Sequence, residues 1–248
     1  MNIIYQKDCV IGVKELISAG SCSLVIADPP YNLGFAGTKH TKTKQTRFKT
    51  LVNDTLSPQE YRRFTFSWLK EAYRILKPGC PIYIFIDWRM YPYLYLWVQK
   101  VGFIIKNCVV WDKERMGMGY HYRYSHEFII YGVKPSAKPA RRPISRSIPD
   151  IWKIRKVAPN KTVHPTEKPV ELYDRILTES SNPGERVVDF FVGSGPLFLS
   201  EYATERDIFG FEIDSIHIKT LQDRFADHSH IEIKSAARST EDHGGNNL

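Results

Sequence analysis

The sequence predicts an α/β fold: a mostly parallel seven-stranded sheet with helices on both faces. Three observations carry this. Short apolar runs alternate with segments of helical period along most of the chain, which is the pattern of strands joined through helices. A glycine-bearing turn sits between a late strand and the helix after it, and a further strand follows. The 248 residues suit one domain with a full core.

Taken in order, the first strand is expected at 2–5 and the second at 24–27, where Leu24-Val25-Ile26-Ala27 stops at Asp28-Pro29-Pro30-Tyr31. A helix is predicted over 57–76. Ser57 is placed to cap it, Pro58 suits its first position, and Lys77-Pro78-Gly79 ends it. A strand at 81–86, a helix at 90–100 and strands at 104–111 and 127–133 follow. The last third reads as helix 169–179, strand 186–190, helix 196–203, strand 208–212 and helix 215–226. Three stretches break the alternation, 32–56, 112–124 and 135–163, and long loops in a compact domain are usually functional or mobile. The last dozen residues read as a disordered tail.

The chain is 42% hydrophobic and 25% charged, and no apolar run reaches the length of a membrane span. The N-terminus lacks a basic leader and a cleavage site, so nothing suggests export. Cys9, Cys22, Cys80 and Cys108 stand singly, which points to neither zinc nor a disulfide framework and makes a reduced, cytoplasmic location the default.

The formal charge of +8 favours a polyanionic partner. Its distribution is more telling. Seven Lys or Arg fall between 38 and 63 against Asp54 and Glu60, and eight between 138 and 161 against Asp150 alone. Both segments are loop-like, so phosphate contact competes with a merely solvated surface.

Two stretches carry chemistry. At 28–31 a carboxylate, two ring-locked backbone positions and a tyrosine follow a buried strand. That is either a plain strand end and turn or a rigid platform around one planar group. At 186–214 a strand ends at Asp189-Phe190, the turn Val192-Gly193-Ser194-Gly195 follows, and Glu212 closes the next strand. Glycines there let the backbone approach a ligand, and a carboxylate about 20 residues on is placed to accept ribose hydroxyls. Neither a full G-x-G-x-x-G nor a Walker-type loop is present, which leaves a nucleoside without pyrophosphate, S-adenosylmethionine being the common case.

Together, Asp28-Pro29-Pro30-Tyr31, Phe191-Val192-Gly193-Ser194-Gly195 and His164-Pro165-Thr166-Glu167-Lys168-Pro169 resemble the amino-group DNA methyltransferases. These act on N6 of adenine or N4 of cytosine. The order, with the catalytic tetrapeptide first, resembles the β class of that family. Asp8-Cys9, Trp111-Asp112-Lys113, His126-Glu127 and Asp150-Ile151-Trp152 extend the likeness over roughly residues 2 to 225.

The resemblance implies a Rossmann-like S-adenosylmethionine-dependent methyltransferase fold with permuted motif order and a small target-recognition insertion. One domain would span 1–230, with a catalytic half to 111, target recognition over about 112–160 and a cofactor half from about 161. Residues 231–248 would be a terminal segment and tail.

The roles implied for single residues follow from the chemistry. An exocyclic amine delocalises its lone pair into the base, and it attacks a methyl only as it becomes tetrahedral. Asp28, with the carbonyl of Pro29 held in place by Pro30, would accept its N–H bonds, and Tyr31 would stack on the base. A base in a duplex must first be flipped out, and stacking worth about 1–3 kcal/mol would offset the unstacking.

On the cofactor side the resemblance implies Asp8 and Cys9 at the adenine, and Phe191, Gly193, Ser194 and Gly195 along the methionine, with Asp189 at the strand end. Glu212 would hold the ribose, Asp28 would border the methyl, and His164, Thr166 and Lys168 would lie nearby, Lys168 at the methionine carboxylate or ribose. S-Adenosyl-L-homocysteine would be the product, and no metal is expected.

Double-stranded DNA is the expected partner. Lys39, His40, Lys42, Lys44, Arg47 and Lys49 would meet phosphates. Lys113, Arg115, Tyr122, Arg123, Arg141, Arg142 and Arg146 would serve recognition. A cognate restriction endonuclease and a homodimer are further expected partners. Aspartate at 28 leans to adenine over the alternative, cytosine N4. Pro196 departs from the family, which usually has Thr or Ser there, and it removes an N–H and a hydroxyl from the turn. It is the one feature favouring the other alternative, a catalytically weak DNA-binding protein on the same scaffold.

Overall fold

The computed structural model describes residues 2–34, 38–39, 46–48, 52–117, 119–138, 143, 147–158 and 167–235. Its centre is a nine-stranded sheet. The strands, in chain order, are β1 (Asn2–Gln6), β2 (Leu24–Ala27), β5 (Pro81–Ile86), β6 (Ile104–Asp112), β7 (His126–Val133), β8 (Ile151–Lys153), β9 (Arg186–Asp189), β10 (Asp207–Glu212) and β11 (Ile231–Lys234). They lie in the order β11-β1-β10-β9-β2-β5-β7-β6-β8. A separate antiparallel pair, β3 (Thr38–Lys39) and β4 (Thr46–Phe48), stands apart.

Every pairing in the large sheet is parallel except those that β7 makes with β5 and β6. The seven strands read from the sequence are all present. The two additions are short edge strands. β8 falls within the stretch 135–163, and β11 extends the sheet past residue 230 by pairing with β1.

The helices are α1 (Cys9–Leu16), α2 (Pro58–Ile75), α3 (Tyr91–Val101), α4 (Val170–Ser180) and α5 (Ser215–Arg224). They divide between the faces because side chains alternate along the strands. Leu24 and Ile26 of β2 point into a layer with Leu172 and Ile176 of α4 and Leu221 of α5. Val25 and Ala27 point the other way, onto Val13 of α1, Trp68 and Ala72 of α2 and Val98 of α3. Both layers are closed to water, as a parallel sheet requires.

α2 begins as expected: the Ser57 hydroxyl accepts from the Glu60 backbone while the Glu60 carboxylate accepts from that of Ser57. The helix expected over 196–203 is absent. Two 3-10 turns, Pro196–Leu199 and Ala203–Glu205, replace it because Ser200 between them is extended, with φ −60° and ψ 135°. Conversely, α1 was not foreseen in the sequence, and Asp8 caps it by accepting from the N–H groups of Val10 and Ile11.

No helix among the described residues is long and apolar enough to cross a membrane. The carboxyl ends of β1, β2, β9 and β10 lie side by side, and in open α/β sheets that edge is where ligands bind.

Candidate active site

At that edge lies a cavity of about 390 Å³, within the range that takes a cofactor-sized molecule. Both chemical stretches of the sequence line it. Asp28, Pro29, Pro30 and Tyr31 come from the end of β2, and Phe191, Val192, Gly193, Ser194 and Pro196 from the turn after β9. Asp8 and Cys9 enter from the start of α1, Glu212 from the end of β10, and Lys168 from the segment before α4.

Asp28 is the centre of a charge array drawn from four parts of the chain. Its Oδ2 accepts from Lys168 Nζ at 2.7 Å, and its Oδ1 accepts from the Tyr31 hydroxyl at 2.7 Å. Lys168 Nζ also lies 3.3 Å from Glu127 Oε2, at the start of β7, and donates to Tyr31 Oη at 3.1 Å. The other oxygen of Glu127 pairs with Lys113 Nζ at 2.7 Å. The array therefore alternates in sign and closes at zero net charge. Lys168 is buried, its side chain only 2% exposed, so the pairs are held away from screening solvent.

The protonation pattern follows from position in the array. Burial pushes the Asp28 carboxyl above the usual carboxylate range, the Lys168 ammonium opposes this and Glu127 adds to it. Burial also acts to raise Glu127, but Lys168 and Lys113 outweigh it and hold its carboxyl down at about 2. For Lys168, burial acts to strip the proton, while Asp28 and Glu127 overcome this and leave the ammonium raised. Burial and the two carboxylates push the Tyr31 hydroxyl well up, so it stays a donor.

The platform beneath is rigid. Pro29 is buried, and the Tyr61 hydroxyl of α2 donates to the Pro30 carbonyl at 2.9 Å.

The turn after β9 is built differently. Gly193 and Gly195 have φ of 55° and 74°, the left-handed region that side chains disfavour. A Cβ on Gly195 would also meet Leu221 Cδ2 and Phe225 Cζ at 2.8 Å each. Glu212 fastens the turn, its Oε2 accepting from Gly193 N at 2.9 Å and its Oε1 from Asp214 N at 2.8 Å. Arg224 reaches from α5 to the Ser194 carbonyl at 2.9 Å and to Glu167 Oε1 at 2.8 Å, tying the turn to the segment that carries Lys168.

Not every residue expected at the cofactor faces the cavity. Asp189 is buried behind the turn, where it accepts from Phe191 N at 3.0 Å, and burial raises it to about 7. Gly195 turns its Cα toward α5, away from the cavity. Asp8 and Glu212 line the space while each also holds backbone N–H groups. Lys168, expected at the methionine carboxylate or ribose, spends its ammonium on Asp28 and Glu127. His164 and Thr166 lie outside the described residues.

Among residues expected at DNA, Arg115, Tyr122 and Arg123 are exposed, Tyr122 at 88%. Lys113 is turned inward because Glu127 claims its ammonium. Lys39 and Arg47 sit on the β3–β4 pair, where only the backbone is described. His40, Lys42, Lys44, Lys49, Arg141, Arg142 and Arg146 lie outside the described residues.

Sequence reasoning passed over Glu127 and His217 as site residues. Glu127 is a carboxylate opening an apolar strand, which is a weak signal. His217, five residues past Glu212 in the first turn of α5, lines the cavity with Nδ1 3.6 Å from Glu212 Oε1.

The site fits S-adenosylmethionine on its donor set as well as its size. An acidic acceptor closes β10, a tight glycine turn faces the cavity, and Asp28 stands at the cavity wall. Among the described residues no group of three His, Cys, Asp or Glu is placed to hold a metal ion.

Comparison with known proteins agrees with this geometry. A family model described as DNA methylase, for N6 and N4 methyltransferases, matches residues 22–223. The chain is 31% identical to type II methyltransferase M.HpaI of Haemophilus parainfluenzae over 241 residues, which cover 87% of this chain and 72% of that protein. It is 28% identical to the DNA adenine methyltransferase YhdJ of Escherichia coli K12, covering 98% of this chain and 89% of the other. The crystal structure of the M1.HpyAVI–SAM complex superposes with a TM-score of 0.64 at 23% identity, over 90% of this chain and all of that one.

Proposed function

Because this chain belongs to the DNA methylase family of N6 and N4 methyltransferases, we propose that it methylates the exocyclic N6 of an adenine flipped out of duplex DNA. The methyl donor is S-adenosylmethionine. The observation that carries the reading is the shared cavity: the acceptor Asp28 and the glycine turn with Glu212 open into one space.

S-Adenosylmethionine, when bound, supplies a methyl group made electrophilic by its sulfonium. The rest is done by the protein. Asp28 and the Pro29 carbonyl accept the N–H bonds of the incoming amine and favour the tetrahedral nitrogen that attacks. Positive charge gathers on that nitrogen as the new bond forms, and the Asp28 carboxylate stabilises it there. The extra proton then leaves toward Asp28, which need not be a strong base beforehand. The platform of Pro29 and Pro30, pinned by Tyr61, keeps the acceptors from rotating away.

On the cofactor side, Glu212 would take the ribose hydroxyls with lone pairs not used by Gly193 and Asp214. Asp8 and Cys9 would bound the adenine. Neither role requires the hydroxyl that Pro196 lacks. The exposed Arg115, Tyr122 and Arg123 would meet DNA.

Aspartate at position 28 and the likeness to a DNA adenine methyltransferase favour adenine over cytosine N4. The likeness to a type II methyltransferase supports a cognate restriction endonuclease as partner.

Incubation with methyl-labelled cofactor and mixed-sequence duplexes, followed by nucleoside digestion, tests this reading. N6-methyladenine is the expected product. N4-methylcytosine would transfer the activity to the other branch of the family, and duplex binding without any label would leave only the binding scaffold.

A further inference from the structure

Glu127 has no role in the proposed transfer so far, yet it lies against Lys113, Lys168 and Tyr31 at once. It lies at the start of β7, 96 residues from Tyr31 in sequence, with its Oε2 3.1 Å from the Tyr31 hydroxyl. Its two oxygens divide two ammonium groups, Oε1 on Lys113 and Oε2 on Lys168. β7 is also the strand that runs against its neighbours, which is what brings its first residues to the carboxyl ends of the parallel strands.

The inference rests on the methyl-transfer reading and deepens it. An amine gaining a methyl group becomes positive, and an ammonium 2.7 Å from the acceptor carboxylate opposes that charge. Left to itself, the Lys168–Asp28 pair would present the substrate with a neutralised acceptor. Glu127 supplies the missing negative charge on the far side of Lys168, and Lys113 in turn keeps Glu127 ionised. We propose that Glu127 is a positioning residue for methyl transfer: it shares Lys168 with Asp28, so that the Asp28 carboxylate keeps a net negative field toward the amine.

The charged and titratable groups facing Asp28 come from every element around it. Tyr31 is on its own loop, Lys168 precedes α4, Tyr173 is on α4, Asp189 ends β9 and Glu127 starts β7. Lys113 and Lys156 stand behind Glu127. Of these, Glu127 is the one whose removal makes Lys168 an undivided partner of Asp28.

The test is Glu127→Gln, which keeps shape and hydrogen-bonding capacity while removing the charge. Carboxyl ¹³C NMR should show the Asp28 titration midpoint moving to lower pH, since a repelling charge is gone and Lys168 is no longer shared. Lys113→Gln should move it the opposite way, because loss of that ammonium leaves Glu127 and Asp28 less compensated. With S-adenosylmethionine and duplex DNA, kcat in E127Q should fall by about 10- to 100-fold, the scale on which misplaced catalytic groups lose rate. KM for DNA should change far less, the acid limb of the kcat profile should shift to lower pH, and Glu127→Asp should recover part of the rate.

An Asp28 midpoint that stays put in both variants would overturn the proposal. So would wild-type kcat in E127Q, or a loss of kcat with the acid limb unmoved, which is what a purely structural glutamate would give. If the wild-type protein methylates no DNA, the functional reading fails, and the NMR midpoints still decide whether Glu127 acts on Asp28.

Discussion

The two ends of the cavity are made of different materials. The corner around Asp28 is an assembly of ionised side chains from four distant segments, each satisfying the next. The turn around Gly193 is an assembly of backbone, with two left-handed glycines, N–H groups capped by Glu212 and a carbonyl held by Arg224. The first end is an electrostatic object, sensitive to charge and pH and tolerant of small steric change. The second is a steric object, defined by backbone shape and intolerant of one added carbon. An enzyme that must stabilise a developing charge at one end and fit the shape of a cofactor at the other has reason to build them so.

The largest expected effect tests the electrostatic end. Asp28→Ala should lower methyl transfer by about 10³-fold or more, the scale for loss of a group acting on the transition state. The fold should survive, because Glu127 still holds Lys168, and cofactor binding by calorimetry should change little. Normal turnover in this variant would break the contrast at its base. Gly195→Ala then tests the steric end. A β-carbon there is both left-handed and within 2.8 Å of Leu221 and Phe225, so the variant should lose about 2–4 kcal/mol of stability. Cofactor affinity should fall with it. A variant that melts and binds like the wild type would show that the turn can relax, and that backbone shape does not define this end.

The same division explains what was legible in the sequence. The platform at 28–31 and the turn at 193–195 are local patterns, a strand stopped by a carboxylate and a strand stopped by glycines, and both were readable. Glu60 and Ser57 close a capping box three residues apart, and α2 was readable too. The Lys168–Asp28 pair spans 140 residues, and no local pattern announces it. Lys113 was read as a DNA contact for the same reason: its charge is visible in the sequence, its partner on β7 is not. α1 was missed because its cap, Asp8, also suits a cofactor contact, and β8 and β11 because three or four residues carry little periodicity. The failed helix at 196–203 is tertiary in origin. Ser200 leaves the helical region while its hydroxyl bonds the Asp174 carboxylate of α4.

Asp189 sits between the two ends and gives a signed effect. Burial raises its carboxyl to about 7, against about 3.9 in an unfolded chain. A raised acid stabilises the fold in its protonated form, so this contribution is complete below about pH 4 and is lost as pH rises toward 7. Asp189→Asn keeps an oxygen for the Phe191 N–H and has no charge to bury. Its Tm should match the wild type at pH 4 and exceed it at pH 8 by about 10 °C, since the displacement is worth about 4 kcal/mol at about 2–4 °C per kcal/mol for a chain of this size. Equal Tm values at both pH values would show that the turn does not feel this charge, and would make the steric description of that end complete.

The smallest expected effect sharpens the comparison most finely, because it removes a neutral hydrogen bond from the charged end. Tyr61→Phe deletes the hydroxyl that donates to the Pro30 carbonyl and leaves the ring packed among Phe64 and Trp97. Pro30 is only partly buried, so water can take over part of the bond, and the cost should be about 1 kcal/mol or less. If charge placement governs the Asp28 corner, kcat should then fall by no more than about fivefold, the equivalent of that energy. The acid limb should stay where it is, since Tyr61 touches none of the ionised groups in the array. A loss approaching that of Asp28→Ala would mean that the proline platform, held by one hydroxyl, matters as much as the carboxylate it carries. The catalytic corner would then be built on backbone shape as the cofactor turn is, and the difference between the two ends would be one of degree.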